Sequence, residues 1–526
     1  DKPEDARRYA LADLVVEDLW TAQEAWTLPD QYRQARADFL LYLQSASGMR
    51  TDPRAVAAMA AWIEIEHREA RAVLTEAGLV RPNGTKSLAL ARARMRSVCA
   101  ASGLSVPITK KGREIESTDD KYTALDADSC KATGDPLLVQ YARFTSIGTL
   151  RKRVERLRIA GTIPIQPRFD VLKATGRTSS SMGDVRPGRP LLAFGDQVQN
   201  LPREPGLREC YIARPGHVLI SVDWTAAELH SLAQVCIWLG LDSDLARTLN
   251  ARKDPHLNFA CVLKSWDYSW AVEALRGDHG PDARKAVKAA RQAAKAANFG
   301  FPGGLGVEKF RLYAAGTFGV VLTDAEASDL RDWWFRIYSE MRPYFAHIND
   351  LIESGEPLVH FKSNRARGGV RYTSAANSYF QGHTADMAKG AGWALTRQYY
   401  GIDPGPLNRA RPWNMVHDEY IAEAPEETAH DCALEMVRIM DGAGREWCPD
   451  VPCRAEPAIS RRWRKGAEPV YGPTGRLIPY EDRPMSEETR TKIAAALDAG
   501  EDPIRVSWKY GYEEERVLCT SRRTGT

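Results

Sequence analysis

Nine cysteines are scattered through 526 residues in no repeating order, and their number is odd. The nearest two, Cys448 and Cys453, have four residues between them and no histidine pair close by, which argues against a zinc site. They read instead as reduced thiols, and the expected location is the cytoplasm. No run reaches the roughly 18 apolar residues of a membrane span, so no membrane partner is expected. The opening residues, "DKPEDARRYA", lack a signal-peptide pattern. "NGT" at 83–85 matches a glycosylation sequon but reads more simply as a turn. There is no Gly-rich loop ending in Lys-Ser/Thr, which excludes a P-loop. Internal repeats and long low-complexity stretches are missing too. Net charge is only +3, so an acidic partner would have to be held by local patches.

What is present is ordinary for a large globular protein: 44% hydrophobic and 27% charged residues. The length suits about two to four domains, or one multi-lobed enzyme. Residues 5–75 carry apolar residues at helical spacing, as in "LADLVVEDLWTAQEAW". Residues 84–160 are basic and mostly helical in pattern. Their runs "TKSLALARARMR" and "RKRVERLR" suit either solvated helix faces or a grip on a phosphate backbone. Residues 170–210 have little regular pattern. A strand follows at 217–224, then a long helical region to about 350, a helix near 375–400 and a hairpin at 413–424. After 467 the composition turns to Pro, Gly and Tyr, as in an appendix.

Two acidic positions stand out. "HVLISVDW" places Val218, Ile220 and Val222 on one strand face and Asp223 at the strand's end on the other. "WNMVHDEYIAEA" reads as a hairpin with Asp418 in its turn and Glu419 beside it. Either aspartate alone is most often a turn residue. Together they suggest a joint site for divalent metal, because carboxylates that repel one another become favourable ligands around Mg²⁺. Two such ions can activate an attacking hydroxyl and stabilise a leaving phosphate.

"RQAAKAANFGFPGG" is the third element. Arg291, Lys295 and Phe299 recur every four residues on an Ala-rich helix and so line one stripe. Two cations one turn apart suit a triphosphate, and an aromatic ring one turn further can pack on a sugar or base. On its own such a helix is as readily a solvated basic face with a core phenylalanine.

Taken together, these stretches resemble a family A DNA polymerase, the DNA polymerase I group, across roughly residues 30–467. "VDWTAAELH" resembles the family's first palm motif, "RQAAKAANFG" its fingers helix and "VHDE" its second palm motif. "ATGRTSSS", "VQNLP", "DPHLNFA" and "YFQGHTAD" match further segments in the same order. The resemblance implies an α+β right-hand polymerase fold, with an antiparallel palm sheet and helical fingers and thumb. It also implies primer-template DNA and dNTPs as partners of a monomer, with two Mg²⁺ ions for which Mn²⁺ can substitute. Asp223 and Asp418 would hold the metals with the backbone carbonyl of Trp224, and Glu419 would sit beside the primer end in a supporting catalytic role. Arg291, Lys295 and His256 would hold the triphosphate, Lys295 in a catalytic role. Phe299 would pack on the sugar and Glu228 would block a 2′-hydroxyl. Arg177, Gln199, Asn200, Gln381 and His417 would contact DNA.

The implied organisation is an exonuclease remnant at 1–26, with Tyr9 and Asp13 in a Tyr-x3-Asp pattern. Helices at the palm and thumb base follow at 27–75 and a thumb at 76–165. Palm is expected at 166–229 and 373–467, fingers at 230–372 and an appendix at 468–526. Departures from the family pattern are Trp224, Ala226, His230 and Gly303, where the family usually has tyrosine, glutamine, arginine and tyrosine. The stretch 182–196 is longer than the family's usual connection. These departures suggest a phage-type enzyme. Two other readings remain: a single-subunit RNA polymerase, against which Glu228 argues, and a catalytically silent nucleic-acid-binding protein on the same fold, against which the intact acids and cations argue.

Overall fold

The computed structural model describes residues 28–181, 197–202 and 204–521. The expected exonuclease remnant, with Tyr9 and Asp13, and the long connection 182–196 lie outside the described residues.

A four-stranded antiparallel sheet organises the molecule. Its strands run in the order Ala455–Ser460, His217–Trp224, Glu419–Pro425 and Arg411–Val416. Period-two alternation sends Val218, Ile220, Val222 and Trp224 to one face. There they join Tyr420, Ala422 and Met415 beneath the helices Leu28–Ser47, Tyr372–Tyr399 and Ala429–Trp447. Leu219, Trp413 and Ile421 point to the other face and pack with Met59, Trp62 and Trp463. Ser221 and Asp223 share that second face but lie beyond the apolar packing, and both are only half-buried.

The expected long helical region is interrupted repeatedly. It comprises eight described helices between Ala227 and Ser354, around a core that includes Phe259, Phe301, Phe310 and Trp334. Gly and Asp caps set its breaks: Asp254 caps the helix Pro255–Lys264 by accepting from the His256 and Leu257 amides at 2.8 and 3.1 Å. The helical region up to residue 75 is broken where "GMRTDPRAV" marks a turn and a new helix. Gly48 adopts a left-handed φ of 65°, and Arg50–Thr51 then pairs with Tyr211–Ile212 before the helix Pro53–Glu76 begins. That helix packs with Pro136–Ala160 through a shared apolar interface.

The appendix is folded onto the body. Helices Glu487–Asp498, Pro503–Tyr510 and Glu514–Ser521 share a small core of Ile493, Val506, Tyr512 and Val517. Trp508 reaches out of it to the core beside Met59. At Gly206, φ is 96° and a Cβ would lie 2.4 Å from the Trp508 ring, so only glycine admits this approach. Among the described residues no helix is long and apolar enough to cross a membrane. All nine cysteines are free thiols and eight are buried.

Candidate active site

The hairpin is as tight as a hairpin can be. Arg411–Val416 and Glu419–Pro425 are joined by His417 and Asp418 alone, with His417 in the left-handed region at φ 62°. The turn brings Asp418 to the end of strand His217–Trp224, where Asp223 lies directly opposite Glu419 in the ladder. Glu456, on the edge strand, faces Asp223 from the other side. Like charges opposed across a sheet repel, and the electrostatics record it. Burial raises the Asp418 carboxyl to about 8, with the charges of Asp223 and Glu228 adding to the rise. Burial likewise raises Asp223, against the pull of Lys465 and with the push of Glu419.

Lys465 provides the balancing charge. Its Nζ lies 3.1 Å from Asp223 Oδ2 and 3.1 Å from Glu419 Oε2. Glu419 also accepts from the Ser221 hydroxyl. Asp223 Oδ1 is buried and has no hydrogen-bond partner. That orphaned oxygen and its neighbouring carboxylates are hard donors suited to a divalent cation. Among the described residues no group of three or more His, Cys, Asp or Glu is placed to hold a metal ion by itself. An open pair of carboxylates suits a divalent cation whose shell is completed by water and phosphate.

Beside the acids opens a cavity of about 640 Å³, lined by Arg252, Lys253, His256, Arg291, Lys295 and Phe299 among others. The last three cavity residues named lie on the helix Gly280–Gly300, as their spacing predicts. Arg291 is held in place: its Nε and Nη2 lie 2.7 and 2.6 Å from Asp254 Oδ2. His256 is buried, and burial together with the charges of Arg291 and Lys295 lowers it to about 4. It is therefore neutral at pH 7. Asn298 Nδ2 donates to its Nδ1 at 3.2 Å, which leaves the ring proton on Nε2 as a donor. Phe299 is fixed by His256, with centroids 5.3 Å apart, and by a near-parallel stack on Phe318 at 6.2 Å.

The remaining candidates are placed unevenly. Glu228 lies in the first turn of Ala227–Trp238 and pairs with Arg177. Trp224 is buried, its indole donating to the Met440 carbonyl at 3.1 Å. Asn200 is exposed. Gln381 is half-buried and accepts from Asn377 at 3.0 Å. Burial and the charges of Arg177 and Lys465 lower His417 to about 4. Gln199, expected to contact DNA, is buried in the free chain. It is 2% exposed, and its amide donates to Thr178 Oγ1 and the Met415 carbonyl at 2.7 and 2.8 Å. Sequence reasoning missed Lys465, Glu456 and Arg454, the last two also lining the cavity. The acid at 456 had a signal only in hindsight, since a strand there was not anticipated.

An acid-bearing antiparallel sheet flanked by two helical lobes, with a basic helix lining the neighbouring cavity, defines a right-hand polymerase fold. The polymerase domain of Pol1 from M. smegmatis, solved in complex with DNA primer-template and dNTP, shares this fold at a TM-score of 0.58 and 19% identity, over 82% of this chain and 70% of that one. The family model for DNA polymerase family A matches residues 172–465, and the chain belongs to that family. DNA polymerase I of Aquifex aeolicus is 26% identical over 368 residues, covering 69% of this chain and 56% of the relative. The thermostable DNA polymerase I of Thermus filiformis is 26% identical over 380 residues, 68% of this chain and 39% of the relative. The chain thus spans about half or less of these relatives' length.

Proposed function

We propose that the chain is a DNA-templated DNA polymerase, a nucleotidyltransferase that extends a primer 3′ end with dNTPs. The observation that carries this reading is the meeting of Asp223 and Asp418 beside a cavity lined by Arg291, Lys295, His256 and Phe299. Acids alone would suit many metal sites, and cations alone many anion sites. Acids next to a cavity lined by cations suit phosphoryl transfer, where positioning and charge stabilisation do most of the work.

In this reading Asp223, Asp418 and the Trp224 carbonyl hold two Mg²⁺, or Mn²⁺ in their place, and Glu419 supports Asp223 from the next strand. When bound, such ions supply Lewis acidity to the attacking hydroxyl and the leaving phosphate. Arg291 and Lys295 neutralise the triphosphate, and His256 donates from Nε2 without adding charge. The Phe299 ring packs on the sugar, and Glu228 fills the space a 2′-hydroxyl would need. Arg177, Asn200, Gln381 and His417 contact primer or template, and Gln199 supports the hairpin strand from inside. We assign palm to 166–229 and 373–467, fingers to 230–372, thumb to 76–165 with its base at 27–75, and a cytoplasmic place of action to the whole. Extension of a labelled primer with each single dNTP or rNTP tests the reading. Templated dNTP addition supports it, and preferred rNTP addition would favour an RNA polymerase instead.

A further inference from the structure

Lys465 is a charged side chain in the acidic centre to which the metal reading gives no task. Lys465 follows the edge strand Ala455–Ser460 and lies between Asp223 and Glu419 at 3.1 Å from each. Its place is not accidental. Trp463, immediately before, is 1% exposed and packs edge-on against Tyr211 and Trp413, with centroids 5.8 and 5.6 Å away. Arg464 is buried, donating from Nε to Glu481 at 3.1 Å and lying 3.4 Å from the Trp508 carbonyl. Both Glu481 and Trp508 belong to the appendix. The appendix therefore clamps the backbone from which Lys465 projects. The Lys465 side chain remains 36% exposed.

We propose that Lys465 is a built-in counter-cation of the acidic strand ends. Resting on the metal reading above, this makes Lys465 a positioning residue. Without divalent ions its ammonium holds Asp223 and Glu419 in place against their mutual repulsion. A divalent ion that takes Asp223 on both oxygens must displace it. The lysine thus keeps the site assembled while empty and weakens metal binding until substrate phosphates arrive to complete the ion's shell.

The test uses the full chain without DNA or nucleotide, and Mn²⁺ alone as the probe. Binding is counted from the free-ion electron paramagnetic resonance signal, and Tm is measured in chelator and in saturating Mn²⁺. Lys465→Gln is expected to bind Mn²⁺ on the order of ten-fold more tightly than wild type, about 1.4 kcal/mol. Its Tm should fall in chelator and recover with Mn²⁺. Lys465→Arg should resemble wild type, and adding Asp223→Asn should erase the gain. A merely structural lysine would lower Tm and leave Mn²⁺ affinity unchanged, and that result overturns the inference while the metal reading stands. Absence of Mn²⁺ binding in all variants overturns the metal reading and the inference with it.

Discussion

Arg177 and Glu228 form an ion pair that ties the irregular segment before the sheet to the first helical turn after Asp223. Glu228 is also close enough to raise the Asp418 carboxyl, so the pair sits at the edge of the acidic centre. In the proposed reading Glu228 excludes a 2′-hydroxyl, and its ion pair with Arg177 would hold it still for that role. Glu228→Ala should admit rNTPs more readily, by roughly ten-fold in relative efficiency. Arg177→Met should relax the same ratio, because the gate then loses its partner. Unchanged rNTP selectivity in both variants would place the gate elsewhere.

Phe299 lies between His256 and Phe318, which leaves its ring little freedom. A phenylalanine offers no hydrogen bond toward the sugar's 3′ side. A dNTP can use its own 3′-hydroxyl to contact its phosphates, and a dideoxy analogue cannot. Phe299→Tyr supplies a hydroxyl there, and a bond to a charged group is worth roughly 1.5–3 kcal/mol. The preference for dNTP over ddNTP should fall by about ten-fold or more. Measured incorporation ratios that do not move would mean the ring faces away from the sugar.

Asp254 does two jobs at once: it caps the helix bearing His256 and it grips Arg291. Asp254→Asn keeps much of the cap and loses the ion pair. The expected result is a raised KM for dNTP with kcat less affected, and a stability loss of about 1 kcal/mol or less. A variant with unchanged KM would show that Arg291 needs no help to face the triphosphate.

Lys389 is 1% exposed, donating to the Val171 carbonyl at 3.0 Å and to Gln34. Burial lowers its ammonium from 10.5 to about 8. Between those values the unfolded chain binds the proton that the folded chain has released, so stability rises with pH across that window and is lost as pH falls through about 8. Relative to Lys389→Met, wild type should gain roughly 2 kcal/mol between about pH 7 and pH 9.5. Urea midpoints at the two pH values check it, and a constant difference would contradict the assignment.

The centre was largely legible because its elements are local. A helix stripe at Arg291, Lys295 and Phe299 and a two-residue turn at His417 and Asp418 depend on spacing, which a sequence displays. The strand Ala455–Ser460 was not anticipated because Pro457 and a short, irregular pattern hide it. It is an edge strand, where proline is tolerated. Lys465 was invisible for a further reason: its partners lie 242 and 46 positions away, and only the folded appendix fixes its direction. Gln199 was singled out only through the family resemblance, and nothing in its spacing announced that its amide donates to Thr178 and the Met415 carbonyl.

The central claim is that Asp223 and Asp418 hold the ions for nucleotidyl transfer while DNA is held elsewhere, chiefly through its phosphates. The direct measurement pairs primer-template affinity with single-turnover extension in Mg²⁺ for Asp223→Ala and Asp418→Ala. Affinity should stay within a few-fold of wild type and weaken as salt rises, while extension falls by about 10³-fold or more. Extension at near wild-type rate in either variant would contradict the account.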